Sequence, residues 1–116
     1  MPPEEKRGFR RYARWFPVTL KIQDHADVWA ICRDASEGGI LVSSSMPVAI
    51  GTECALSFKI RPSEPEEHVV FASVVRAETN DDELMLAFPF RIGLRFVKPV
   101  PELLDELQRA SEKVPL

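Results

Sequence analysis

Apolar side chains recur at every second position along much of this chain. Phe16, Val18, Leu20 and Ile22 fall on one side of an extended backbone, with Thr19, Lys21 and Gln23 opposite them. A period of two belongs to a strand with one buried face, whereas a helix would scatter the same residues around its axis. Cys54, Leu56, Phe58 and Ile60 alternate in the same way with Ala55, Ser57, Lys59 and Arg61, and residues 69–77 read as a further strand. Residues 28–33 are β-prone but apolar on both faces, which leaves their inward side open. Gly38 and Gly39 read as a turn leading into a short strand at Ile40, Leu41 and Val42. A polar turn at Asn80, Asp81, Asp82 and Glu83 then precedes an expected final pair of strands at 84–88 and 92–97, the first limited by Pro89.

Short strands joined by turns predict a mainly all-β fold, a small antiparallel barrel or sandwich, and closing the sheet removes edges that invite aggregation. The stretch 62–67, with two prolines and three glutamates, reads as a solvated loop. From Pro101 the period changes: Leu103, Leu104, Leu107, Ala110 and Val114 share one helical face. Pro101 suits a first helical turn, and Glu102 favours the N-terminal end electrostatically. A C-terminal α-helix is therefore expected to cover one mouth of the barrel. The expected organisation is a basic arm over 1–14, a β-barrel over 15–100, and a helix and tail over 101–116, all within one domain. A length of 116 residues fits a single core.

Composition narrows the function classes. With 45% hydrophobic and 28% charged residues the chain is of ordinary globular type. It contains no apolar run of the ~18 residues that would span a bilayer, and residues 1–7 lack the apolar core of a secretory signal. Cys32 and Cys54 are too far apart for a CxxC motif, and with two histidines no zinc-ligand pattern forms. The expectation is a reduced, cytoplasmic protein with no membrane insertion, no metal and no cofactor. The net charge of −3 conceals an asymmetry. Lys6, Arg7, Arg10, Arg11 and Arg14 face Glu4 and Glu5 in the arm, whereas the remainder carries 10 basic and 16 acidic residues. An acidic body argues against general nucleic-acid binding, whose strength grows with the number of phosphates neutralised. A small anion needs only a few local cations.

Two clusters carry candidate chemistry. Arg10 and Arg14 are spaced so that both guanidiniums share one side of the arm, and their forked donors suit phosphate oxygens or the O6/N7 edge of guanine. Taken alone, the ordinary reading of this cluster is a solvated basic tail. The second cluster is Asp34-Ala35-Ser36-Glu37-Gly38-Gly39. Aspartate accepts from the N1–H and exocyclic amine of guanine, serine adds a hydroxyl, and glycine permits a tight turn or a close approach. Taken alone, that cluster is a hairpin turn.

In combination, Arg10 and Arg14 as RxxxR, followed by Asp34, Ser36 and Gly39 as DxSxxG, resemble the signature of the PilZ family. The later segment Ile92-Gly93-Leu94-Arg95-Phe96 strengthens a resemblance that runs over roughly residues 7–114. It implies a small antiparallel β-barrel that binds the bacterial second messenger cyclic di-GMP. On that resemblance Arg10 and Arg14 clamp guanine edges and phosphates, Asp34 and Ser36 give polar specificity, and Gly39 sets the turn and leaves room for the ligand. Arg11 occupies a variable position and Arg7 lies outside the motif. Phe9, just before the first arginine, occupies a position associated in the family with ligand stoichiometry.

The remaining candidates have plainer explanations. Asp81, Asp82 and Glu83 read as a solvated turn, at least one of Trp15 and Trp29 is expected in packing, and His25 and His68 are expected at the surface or in loops. No nucleophile elbow, phosphate-binding loop or paired-carboxylate motif is present in the sequence, so the expected function is non-enzymatic. The resemblance implies a cyclic di-GMP receptor acting through an unidentified effector protein, by ordering of the arm. The alternative is an adaptor of the same fold with weak or no nucleotide binding.

Overall fold

The computed structural model describes residues 12, 13, 15–79, 87–103 and 107. Among the described residues there are seven strands: β1 (Tyr12–Ala13), β2 (Pro17–Lys21), β3 (Val28–Ala35), β4 (Gly39–Ser44), β5 (Glu53–Phe58), β6 (His68–Thr79) and β7 (Phe90–Phe96). All pairings are antiparallel. The order β3-β2-β5-β6-β7-β4 returns to β3 through the β3–β4 pair, so six strands close a barrel and β1 extends along β3.

Alternation decides which side of each strand is buried. Val18 and Leu20 of β2, Cys54, Leu56 and Phe58 of β5, Val70, Ala72 and Val74 of β6, and Ile92, Leu94 and Phe96 of β7 all point into one core. The strand whose inward face the sequence left open resolves through its register. Val18 pairs with Ala30 and Thr19 with Trp29, so Val28, Ala30 and Cys32 turn inward while Trp29 and Arg33 face out. Near its end β3 bulges against β4 between Cys32 and Asp34, after which Ala35 resumes the inward role. A bulge places two residues opposite one and re-aims the side chains beyond it. Here it leaves both Arg33 and Asp34 half-buried on the outer side.

The expected strand at 84–88 is not the partner of β7. β7 pairs with β4 on one side and with β6, extended to Thr79, on the other. Of the expected segment, Ala87 and Phe88 are turn and irregular, and 84–86 lie outside the described residues. The barrel already supplies β7 with two neighbours, so no third strand can join it. The expected loop at 62–67 is exposed except at Glu64, whose Oε2 accepts from the Ile60 amide at 2.8 Å and whose Oε1 lies 3.1 Å from His68 Nε2. The expected C-terminal helix is described only at Glu102, Leu103 and Leu107, which are helical. Leu103 and Leu107 are fully buried and join the barrel core, as one stripe spaced by four residues should. Burial of two leucines contributes roughly 1.5–3 kcal/mol each, enough to hold this segment on the barrel.

Candidate functional site

β1 and β2 share one side of β3. β2 covers residues 28–31 and β1 covers Asp34 and Ala35, with Tyr12 opposite Ala35 and Ala13 opposite Asp34. Between the two, the Cys32 amide donates to the Phe16 carbonyl at 2.8 Å. The root of the basic arm is therefore part of the sheet and ends beside the Asp34 segment. Because β2 runs antiparallel to β3, the chain that precedes β2 continues along β3 toward Asp34.

The turn after Asp34 is held from several directions. The Ser36 amide donates to the Gly39 carbonyl at 2.9 Å, and the Ser36 hydroxyl accepts from the Gly38 amide at 3.1 Å and donates to the Gly39 carbonyl at 3.4 Å. Beyond the hairpin, the Phe96 amide donates to the Gly38 carbonyl and the Val100 amide to that of Glu37, at 3.0 and 2.7 Å. Ser36 is 2% exposed, so its hydroxyl is committed to the turn itself. Gly39 is needed for proximity. A Cβ built there would lie 2.5 Å from the Leu94 carbonyl oxygen of β7, closer than a non-bonded carbon and oxygen can approach. In this signature, the glycine lets two strands meet.

A row of cations lies on the outer face next to Asp34. The Arg33 guanidinium stands 4.9 Å from the centroid of the Trp15 ring, and its Nη1 donates to the Ser43 hydroxyl at 3.3 Å. Ser43 pairs with Arg91 across the next strand, and Arg91 with Glu78 beyond it. Glu78 Oε1 is 3.1 Å from Arg76 Nη2 and 3.9 Å from Arg91 Nη1. These pairs are solvent-accessible, so their net stabilisation is small. Their effect is to fix a positive outer face in which one carboxylate serves two arginines. The Arg76 stem packs over Gly93, where a Cβ would come within 3.1 Å of it.

Of the residues singled out from sequence, Asp34, Ser36 and Gly39 are brought together by the β3–β4 hairpin, whereas Arg10 and Arg14 lie outside the described residues, as do Phe9, Arg11, Arg7 and residues 81–83. Ala13 and Trp15, the chain neighbours of Arg14, are both placed beside β3. Neither tryptophan is in the core: Trp15 is 52% and Trp29 70% exposed, so the expected packing role fails for both. Sequence reasoning missed Arg33, Ser43 and Arg91. Arg33 had a local signal, a cation immediately before Asp34, whereas Ser43 and Arg91 become neighbours only through the β4–β7 register. His25 is exposed in the β2–β3 turn, and His68 opens β6. Among the described residues no cluster of histidine, cysteine, aspartate or glutamate fits a metal ion, and no helix is long and apolar enough to cross a membrane. Cys32 and Cys54 are buried free thiols, and burial pushes the Cys54 thiol up to about 11.

A family model described as PilZ domain matches residues 5–113. The chain belongs to the PilZ family. No curated protein sequence matches it. Among solved structures it is similar to the PilZ domain with c-di-GMP of YcgR from Escherichia coli, at 17% identity and TM-score 0.65, over 90% of this chain and 88% of that one. It is also similar to the Bacillus subtilis inhibitor of motility MotI/DgrA, at 18% identity and TM-score 0.67, over 99% of this chain and 59% of that one. A structure of YcgR from Escherichia coli in complex with c-di-GMP matches at 16% identity and TM-score 0.57, over 90% of this chain and 44% of that one. The chain thus spans about half the length of the latter two proteins. At these identities the likeness is one of fold, and the PilZ barrel is the fold shared.

Proposed function

We propose that this protein is a non-enzymatic, cytoplasmic receptor for cyclic di-GMP that signals through a protein partner. The observation that carries the reading is the pairing of Ala13 with Asp34. It sets Tyr12 and Ala13, which lie within the RxxxR motif, beside the DxSxxG hairpin, and the motif's arginines and Asp34 have opposite hydrogen-bonding polarity. The solved PilZ domain of YcgR, to which the fold is similar, contains c-di-GMP. Arg10 and Arg14 clamp the phosphates and the O6/N7 edges of guanine, and Asp34 accepts from the guanine N1–H and amine. Ser36 and Gly39 act by shaping the hairpin, since the hydroxyl is spent within the turn and the glycine admits β7.

Binding works as a switch at the arm. Tyr12 and Ala13 are already strand, so the change falls on the residues before them, which carry four of the five arm cations and few apolar anchors. Like charges there repel until an anion joins them, and interactions made only in the bound arrangement shift the equilibrium toward it. The resulting surface is what the partner reads.

The test is titration calorimetry of the purified chain with cyclic di-GMP, cyclic di-AMP, GTP and single-stranded RNA. Heat of binding for cyclic di-GMP in preference to the other three is expected. Absence of binding at high micromolar ligand, repeated by a second method, overturns the receptor in favour of an adaptor, and equal affinity for RNA overturns it in favour of a nucleic-acid binder. Hydrogen exchange with and without ligand then locates the switch. Largest new protection before Tyr12 and around residues 34–39 is expected, and full protection of the arm without ligand removes the ordering step.

A further inference from the structure

We infer that the outer face of β6 is a self-association surface on which two copies of this chain pair through a two-fold axis running along the strand. Val69, Phe71 and Val75 project outward from β6, at 62%, 66% and 46% exposure, with only Ser73 interrupting them. Val97, 69% exposed, adds to the stripe from the β7 side, where its amide donates to the Phe71 carbonyl at 2.9 Å. Scattered apolar residues on a surface are ordinary, but a contiguous stripe marks a contact site. It is separate from the proposed ligand face, which is built on β1, β3 and β4.

The charges beside the stripe say what covers it. In the row through Ser73, Glu53 of β5 stands on one side and Arg95 of β7 on the other. Both side chains are exposed and both turn outward, since Cys54 and Leu94 next to them are buried. A two-fold axis parallel to β6 exchanges the β5 and β7 sides while keeping position along the strand. Phe71 of one copy then meets Phe71 of the other, Ala55 meets Val97, and Glu53 meets Arg95 twice. An isologous contact requires this kind of self-complementarity. A partner of uniform charge would meet repulsion on one flank. Because two convex barrels touch along a stripe and not across a plane, the dimer is weak and reversible, below the standard interface size.

Sedimentation velocity of the full chain, from low micromolar to millimolar concentration, tests the pairing. The expected result is a rise toward twice the 13.1 kDa chain mass with concentration. Phe71→Asp is expected to abolish the rise, with Phe71→Ala as a milder second variant and circular dichroism confirming the barrel in each. Glu53→Arg and Arg95→Glu singly place like charges together and should weaken pairing at least tenfold. The double reversal should restore it, because opposite charges then meet again. Trp29→Ala, an equally exposed aromatic on β3, should change nothing. A monomer at every concentration overturns the inference, as does a dimer indifferent to Phe71→Asp. Failure of the double reversal to restore what the single reversals lose overturns the two-fold arrangement.

Discussion

The two halves of the PilZ signature are built differently. The hairpin half at residues 34–39 is woven into the barrel: Gly39 abuts the β7 backbone, Ser36 closes its own turn, and the Glu37 and Gly38 carbonyls take amides from Val100 and Phe96. The arginine half belongs to an arm whose described attachment is the two-residue strand β1. On the proposed reading, one short motif mixes residues that build the fold with residues that touch the ligand. Substitution in the first class removes binding by damaging the fold, and in the second by removing contacts alone.

The largest effect that separates the halves is expected from the arginines. Arg10→Ala and Arg14→Ala each remove a charge-assisted contact of about 1.5–3 kcal/mol, which corresponds to roughly ten- to a hundredfold in affinity for cyclic di-GMP. Their melting temperatures should stay with that of the parent, because substitutions that leave the core packing intact shift stability by about 0.5 kcal/mol or less. Calorimetry paired with thermal melts checks both. A large loss of melting temperature in either variant would place the arm among the structural elements and erase the contrast.

Gly39→Ala should show the reverse. The new Cβ meets a backbone carbonyl that no rotamer change can move, so β4 and β7 must separate at a cost of roughly 1–3 kcal/mol. The melting temperature should fall by about 4–8 °C for each kcal/mol, with affinity falling as a consequence. Ser36→Ala is smaller: it removes the Gly38 amide's bond to the hydroxyl in a part-buried site, for about 0.5–1.5 kcal/mol. An unchanged melting temperature in Gly39→Ala would mean that β7 yields more readily than its pairing with β4 suggests.

This contrast also explains what was legible in the sequence. The strands of the barrel were readable because alternation is a local property, and Phe16, Val18 and Leu20 behave as their spacing predicts. The segment expected at 84–88 as the partner of β7 is apolar at all five positions, so no alternation tested it, and the barrel gives β7 its neighbours from β6 and β4. The hairpin half was legible as a motif, but its reason was not. Gly39 reads as a flexible turn or a space for ligand, and only the β4–β7 register reveals the Leu94 carbonyl in that space. Arg91 and Ser43 were invisible for the same cause, since 48 residues separate them in the chain. Ser36 reads in the motif as a polar contact, and its burial comes from strands that the motif does not contain.

The smallest expected effect lies at the junction of the two halves. Trp15 follows Arg14 in the chain and rests against Arg33, which precedes Asp34. An exposed cation–π contact of this kind contributes about 0.5–1 kcal/mol, too little to decide whether the barrel folds. It is enough to bias where the root of the arm lies relative to the hairpin. Trp15→Ala should therefore weaken cyclic di-GMP affinity a few-fold with little change in melting temperature, and Arg33→Ala should do the same. If the pair acts as one fastening, the double variant should lose little more than either single one, because the second substitution removes a contact already gone. That non-additivity is measurable as a coupling energy in a double-mutant cycle. Fully additive losses would mean that Trp15 and Arg33 reach the ligand separately, and that the arm and the hairpin are joined by the Ala13–Asp34 strand pairing alone.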